Sequence, residues 1–424
     1  FNTPLLFAGE YLHYKIYVLN SEDLKPSNVS DIAYLELVGE DNTIVFKHKI
    51  RLKDGKGNGD FFIPVSVPSG NYKLLAYTQW MKNYSKQNIY SDDLSIVNPY
   101  QGNQKNILEK KDNIELDALN NAVSYSSSNS NISLQTNKDN YKKRSKVVID
   151  IDGLKEIKNN ELSVSVHHRS SIKTGENLTS ESFIAQLKKE STLKNDLVFL
   201  PELRGELITG KVRTKSNERN NENLKVGFSI PGNDGYVLKI ATTNEKGDFY
   251  LNLDEKYNGE EAIVQVIDDS KEDFELIVNN HEPIKHSGLE FRKFKISSED
   301  GDYIKKRSVH NQIENGYFSS KPDSILIHKT ANPFKSEENI VYNLDDYTRF
   351  KTIDETFVEV VENAWTARAK NGKKIFQVRG VITSTDYFGS SLKKPLVILD
   401  GILIQDHNSL MDYDARKVQN IIIM

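Results

Sequence analysis

The chain has 424 residues, 37% of them apolar, with 18 Phe, 20 Tyr and 2 Trp; it is too aromatic to be disordered throughout and long enough for two to four domains of roughly 100–200 residues each. Its 56 basic and 60 acidic residues give a net charge of −4 with both signs interspersed, which is not the basic stripe of a nucleic-acid binder. Zero cysteine excludes disulfides, thiolate metal sites, iron–sulfur clusters and cysteine nucleophiles. The longest apolar runs, at 396–399 and 421–424, fall far short of the roughly 18 residues that a membrane-spanning helix needs. No basic or apolar leader pattern follows Phe1, which fits an exported chain whose leader was removed as well as one that simply begins there.

In chain order, residues 1–98 read as an all-β sandwich, with β-rich runs at 11–18, 31–38, 43–52, 60–67, 71–79 and 90–97. The run Asp54-Gly55-Lys56-Gly57-Asn58-Gly59 reads as a turn; it lacks the Lys-Ser/Thr pair and the following helix of a phosphate cradle. Residues 99–131, rich in Asn, Ser, Lys and Asp, read as a flexible linker or excursion. A second sandwich is expected over 132–200, where Leu162, Val164 and Val166 alternate, and a third over 201–282. Residues 283–340 read as a connector containing a helix over 303–317, with Ile304, Val309, Ile313 and Tyr317 roughly on one side.

Residues 341–424 change period and predict a small α+β domain. Thr352-Ile353-Asp354-Glu355 matches a capping box, followed by apolar positions Ile353, Phe357, Val360 and Val361 at helical spacing. The runs 396–399 and 421–423 lack alternation, as strands buried on both faces do, and are the expected cover for that helix. The expected class is therefore mainly β: tandem immunoglobulin-like or macroglobulin-like sandwiches, then a small α+β domain.

Three sets of residues carry a resemblance. Gly9-Glu10-Tyr11-Leu12-His13-Tyr14-Lys15, Gly59-Asp60-Phe61-Phe62-Ile63-Pro64 and Ser69 to Asn83 resemble a macroglobulin-type sandwich. Pro201-Glu202-Leu203-Arg204-Gly205, Ile208 to Val212 and Thr243 to Phe249 resemble a carboxypeptidase-regulatory-like domain. Ser308 to Tyr317, Leu344 to Phe350 and Pro395 to Gly401 resemble the plug domain of TonB-dependent receptors. The order is similar to large envelope proteins of the Bacteroides group. No barrel-length series of strands follows the plug-like stretch, so the resemblance implies an exported, outer-membrane-associated protein rather than a transporter. It implies partners among outer-membrane or periplasmic proteins, such as a β-barrel. The carboxypeptidase match is to the regulatory β-domain and implies no hydrolysis.

Chemistry-bearing residues are few, and no cofactor or metal is expected. His281-Glu282-Pro283-Ile284-Lys285-His286 lacks the His-Glu-x-x-His helix spacing of a zinc site and reads as a surface loop. His167 and His168 end a strand and face opposite sides. Asp150-Ile151-Asp152-Gly153 reads as a strand end and turn rather than a calcium loop. Asp345, Asp346, Asp354 and Glu355 pair as acids, yet Glu355 serves as a cap and Asp354 suits a helix N-terminus. No Ser–His–acid set has an elbow context. Asp323-Ser324-Ile325 resembles an O-glycosylation acceptor of the same bacterial group at Ser324. The expected function is a non-enzymatic, multidomain protein that docks onto or supports other envelope proteins. The alternative is a surface module binding glycan or peptide through Trp80 and Tyr84, or through Tyr387 and Phe388. A hydrolase is the third class, and core or hinge packing is the ordinary role for those four rings.

Overall fold

The computed structural model describes residues 1–84, 89–108, 133–142, 145–153, 164, 166, 171–172, 174, 178, 180–187, 199–215, 220–232, 235–255, 257, 261–281, 283–317, 339–379 and 394–424. The chain is mainly β, with small sheets and short helices, and divides into two units.

Unit 1 comprises 1–27, 33–197 and 286–321. Its strands are β1 (Leu5–Phe7), β2 (Tyr11–Tyr17), β3 (Ile32–Gly39), β4 (Ile44–Arg51), β5 (Lys56–Phe62), β6 (Gly70–Tyr77) and β7 (Tyr90–Val97). Five of them form a sheet in the order β1-β7-β6-β3-β4, in which β1 runs parallel to β7. The other two, β2 and β5, pair antiparallel as a ribbon. Alternation explains the layers. Leu12, Tyr14 and Ile16 of β2 point inward and pack with Leu35, Leu37, Leu74 and Ile96 of the sheet, while Tyr11, His13, Lys15 and Tyr17 face outward. The expected turn at 54–59 is shorter than the sequence suggested. Strand β5 already begins at Lys56, which pairs with Tyr17 of β2, and Gly59 leaves the space that the Tyr14 ring occupies.

The second face of the five-stranded sheet is also covered. Leu5, Phe7 and Val97 pack with Ile107, Phe294 and Ile296. Ile107 is fully buried, so the solvated stretch expected from 99 does not begin there; residues 109–131 lie outside the described residues. Helix α2 (Gly301–Gly316) forms as expected, yet its packed side mixes Tyr303 and Ile304 with polar residues. Ser308 and Asn311 are buried, whereas Val309, Ile313 and Tyr317 are about half exposed. Arg307 decides this orientation: its guanidinium holds Glu10 through Nε and Nη2, both at 2.7 Å, and lies over the Phe7 ring. Within 132–200 the described elements are the hairpin of β8 (Ser133–Thr136) and β9 (Ile149–Asp152) and the helix α1 (Ser180–Leu187). His167 and His168 lie outside the described residues.

Unit 2 comprises 28–32, 198–285 and 322–424. Its strands β10 (Glu206–Thr214), β11 (Lys225–Ile230), β12 (Val237–Thr242), β13 (Asp248–Leu253), β14 (Ile263–Ile267) and β15 (Phe274–Val278) form two sheets, β13-β10-β15 and β12-β11-β14. Val212, Phe228, Ile230, Phe249, Leu251 and Val266 fill the space between them.

The C-terminal part has β16 (Ile340–Asn343), α3 (Ile353–Glu359), β17 (Ala364–Arg368), β18 (Lys374–Val378), β19 (Val397–Leu399), β20 (Ile402–Ile404) and β21 (Asn420–Ile423). The capping box is present in both directions: the Glu355 N–H donates to Thr352 Oγ1 and the Thr352 N–H donates to Glu355. Asp400 and Gly401, both at positive φ, make the two-residue turn between β19 and β20, the turn type for which Asp-Gly is preferred. Gly401 is required twice over, since a Cβ there would enter the Tyr236 side chain. Strand β20 lies beside β11 and β14. Gln405 donates to Gln265 and to the Val266 carbonyl at 2.7 and 2.8 Å, and Gln265 donates to the Leu403 carbonyl at 2.8 Å. Within unit 2 this region therefore packs on the β11–β14 layer.

Candidate functional site

The ionisable groups buried in each unit form structural locks. On β3, Glu36 is fully buried at a position where alternation alone suggests solvent. Its carboxylate accepts from Tyr77 Oη at 2.5 Å and pairs with Lys47 Nζ at 3.0 Å and His286 Nε2 at 2.9 Å. Burial raises the carboxyl pKa, but the bonds from Tyr77, Lys47 and His286 outweigh it and hold Glu36 below its ordinary value. A carboxylate held by three side chains at 1% side-chain exposure is anchored as a structural group. His286 thereby fastens the start of a strap, 286–296, which continues with Arg292 N–H to Asp93 Oδ1 and Phe294 N–H to Asn71 Oδ1.

The described residues of the His/Glu-rich stretch at 281–286 are irregular backbone with Pro283 and Lys285 exposed, as a surface loop would be, yet both imidazoles are anchored. In unit 2, His281 lies 3.8 Å from Glu206 Oε1, and Tyr257 Oη donates to Glu206 Oε2 at 2.6 Å. In unit 1, His286 meets Glu36. Each imidazole goes to its own buried glutamate. The partners lie 75 and 250 residues away in sequence, so local spacing carried no signal for them. Among the described residues no group of three or more His, Asp or Glu is placed to hold a metal ion.

The ring candidates divide. Trp80 opens a 3-10 turn after β6, and its ring meets Tyr84 edge-on at 6.4 Å and 75°; both are half-buried. Tyr387, Phe388 and Ser324 lie outside the described residues. Asp354 is engaged by Thr366 at 2.8 Å and by Lys374, which hold its carboxyl below the ordinary range. Asp345 pairs with Arg349, whose other nitrogen donates to the carbonyls of Ala415 and Val418. Asp345 thus fixes backbone through Arg349, and Asp354 is held by two side chains. Asp150 and Asp152 lie on β9, with Gly153 at positive φ.

The apolar surface that the locks leave open is clearest on the β16–β21 ribbon. These strands pair antiparallel, with Val341 opposite Ile422 and Tyr342 opposite Ile421. Tyr342, Ile421 and Ile423 turn inward. Val341 is 57% exposed, Ile422 41% and Met424 58%. The run 421–423 is therefore covered on one face, not two. No third strand pairs with this ribbon among the described residues, so among them it combines an open edge with an apolar outer face, a combination that monomers usually blunt.

No protein-family model and no curated protein matches the chain. Among solved structures, Salmonella alpha-2-macroglobulin reacted with methylamine is similar over 65% of this chain and 22% of its own, at 10% identity and TM-score 0.19. Escherichia coli alpha-2-macroglobulin activated by porcine elastase is similar over 65% and 30%, at 8% identity and TM-score 0.19. A tetra-tandem repeat from the extending region of a large adhesion protein is similar over 61% and 75%, at 9% identity and TM-score 0.14. The chain spans about a fifth of the length of the Salmonella protein. At overlaps this low, none of the three carries an argument about activity.

Proposed function

We propose that the chain is a non-enzymatic, outer-membrane-associated protein that docks onto other envelope proteins, with its macroglobulin-like and carboxypeptidase-regulatory-like sandwiches as spacers and its plug-like C-terminal region as the contact surface. The observation that carries this reading is the β16–β21 ribbon, where Val341 and Ile422 stand exposed beside a strand edge that no other described strand pairs. An extended segment of a β-barrel or periplasmic partner would add a strand there, its backbone supplying affinity and its apolar side chains covering Val341 and Ile422. Glu36 and Glu206, whose buried carboxylates are held by neighbouring side chains, are read in this proposal as structural rather than catalytic.

A photo-crosslinking residue placed at 422 in cells producing the chain tests this. The expected result is one discrete adduct with an outer-membrane protein, lost when Val341→Asp is added. Crosslinks only to cytoplasmic proteins, or an adduct unchanged by Val341→Asp, would overturn it.

A further inference from the structure

Four Asn-Gly pairs occur in the sequence, at 58–59, 258–259, 315–316 and 371–372. The side-chain amide of Asn is open to attack by the backbone nitrogen of the next residue, and Gly, with no Cβ, hinders that attack least. Two of the three pairs within the described residues are held against it. Asn58 and Gly59 sit inside β5, each opposite a residue of β2, with the Tyr14 ring against Gly59. Asn315 and Gly316 close α2, and Asn315 Nδ2, the nitrogen that would leave, donates to the Gly9 carbonyl at 2.9 Å.

Asn371 and Gly372 differ on each count. They form the turn of the β17–β18 hairpin, where residues 370–373 are all exposed, and Gly372, at φ +82°, has nothing within 4 Å of the place a Cβ would take. The Lys373 N–H donates to Asn371 Oδ1 at 3.1 Å. That donor polarises the side-chain carbonyl and faces the charge its oxygen gains on attack, as an oxyanion donor does. Lys370 and Lys373 flank the pair and favour the same negative charge, although Lys373 shares its own with Asp406 at 3.3 Å. The Gly372 N–H donates to the Ala369 carbonyl at 2.9 Å, so that one bond must open first, a local opening of the kind exposed hairpin ends undergo.

We propose that Asn371 is a site of spontaneous covalent modification, at which the folded chain deamidates. The Gly372 nitrogen bonds to Asn371 Cγ, the Cγ–Nδ2 bond breaks, and the proton lost from Gly372 passes through solvent to the departing ammonia. This closes a five-membered succinimide. Water then adds to one of its two carbonyls and opens the ring to aspartate or isoaspartate, with no oxidation or reduction. Either product sets a new carboxylate between Lys370 and Lys373.

Peptide mass mapping of the full chain during incubation in mildly alkaline buffer tests it. The peptide holding residue 371 should exchange NH for O first, about tenfold or more ahead of those holding 58 and 315, and its rate should rise with hydroxide. In guanidinium chloride the three peptides should react at similar rates, so that the native difference belongs to the fold. Lys373→Pro, which lacks the donor N–H, should slow the reaction at 371 about tenfold or more, and Lys370→Gln about twofold. Equal rates at the three sites in the native chain would overturn the proposal. So would a residue 371 that converts only in the unfolded chain, or a Lys373→Pro variant that keeps both the wild-type melting temperature and the wild-type rate.

Discussion

At Glu36 a single carboxylate collects donors from β6, β4 and the strap, and so joins parts of the chain far apart in sequence. Substituting Glu36→Gln keeps the shape but leaves Lys47 and His286 without their anion. A loss on the order of 2–3 kcal/mol is expected, as for hydrogen bonds to a charged group, read as a lower urea midpoint for the full chain. His407 makes the corresponding point in unit 2. It is 2% exposed, and its Nδ1 accepts from the Phe376 N–H at 3.2 Å. Burial first, then nearby Lys394, lowers its pKa from 6.5 to about 4. The unfolded chain therefore takes up this proton before the folded one does. The stabilisation is complete above pH 6.5 and is lost as pH falls towards about 4, amounting to about 3 kcal/mol at most. Glu36, held below its ordinary 4.5, loses its contribution only at lower pH. Unfolding free energies at pH 7, 5.5 and 4.5 should fall in that order, and His407→Asn, which has no titrating proton, should flatten the dependence.

Among elements, those fixed by neighbouring residues were legible in sequence. The cap on α3 needs only Thr352 and Glu355, and the turn at 400–401 only Asp-Gly. Thr352→Ala should cost about 1 kcal/mol. Phe357, whose ring meets Phe376 at 4.6 Å in a tilted contact and packs between two clusters, should cost on the order of 3–5 kcal/mol when cut to Ala. Calorimetry of both variants checks the ratio; equal losses would contradict this account of α3. Elements fixed by distant partners were not legible. Apolar spacing found α2 but not its orientation, because Glu10, some 300 residues earlier, draws the Arg307 side inward. Likewise Ile421-Ile422-Ile423 looks buried on both faces, and only the absence of a described strand or helix over Ile422 shows otherwise. β1 was missed because a three-residue strand has no period to detect.

At the scale of the whole molecule, the C-terminal region leans on the β11–β14 layer through Leu403 and Gln405. Gln405 also accepts from the Asp268 N–H at 3.2 Å, so Gln405→Ala strands several polar groups and should cost about 1–3 kcal/mol. Loss of the α3 and Gln405 contacts in a single thermal transition would show that the two parts melt together; two separated transitions would contradict it. The sandwich character was legible from alternation, whereas the division into units was not, since residues 28–32 belong with unit 2 and 286–321 with unit 1. The proposed docking function would use exposed apolar faces, above all the ribbon of Val341 and Ile422. The most direct measurement is the mass of the particle containing the full chain after gentle detergent extraction of envelopes. The account predicts an assembly that includes an outer-membrane β-barrel and that reverts to free chain when Val341→Asp and Ile422→Asp are combined. A particle no larger than the purified chain, or an assembly untouched by those two changes, would contradict it.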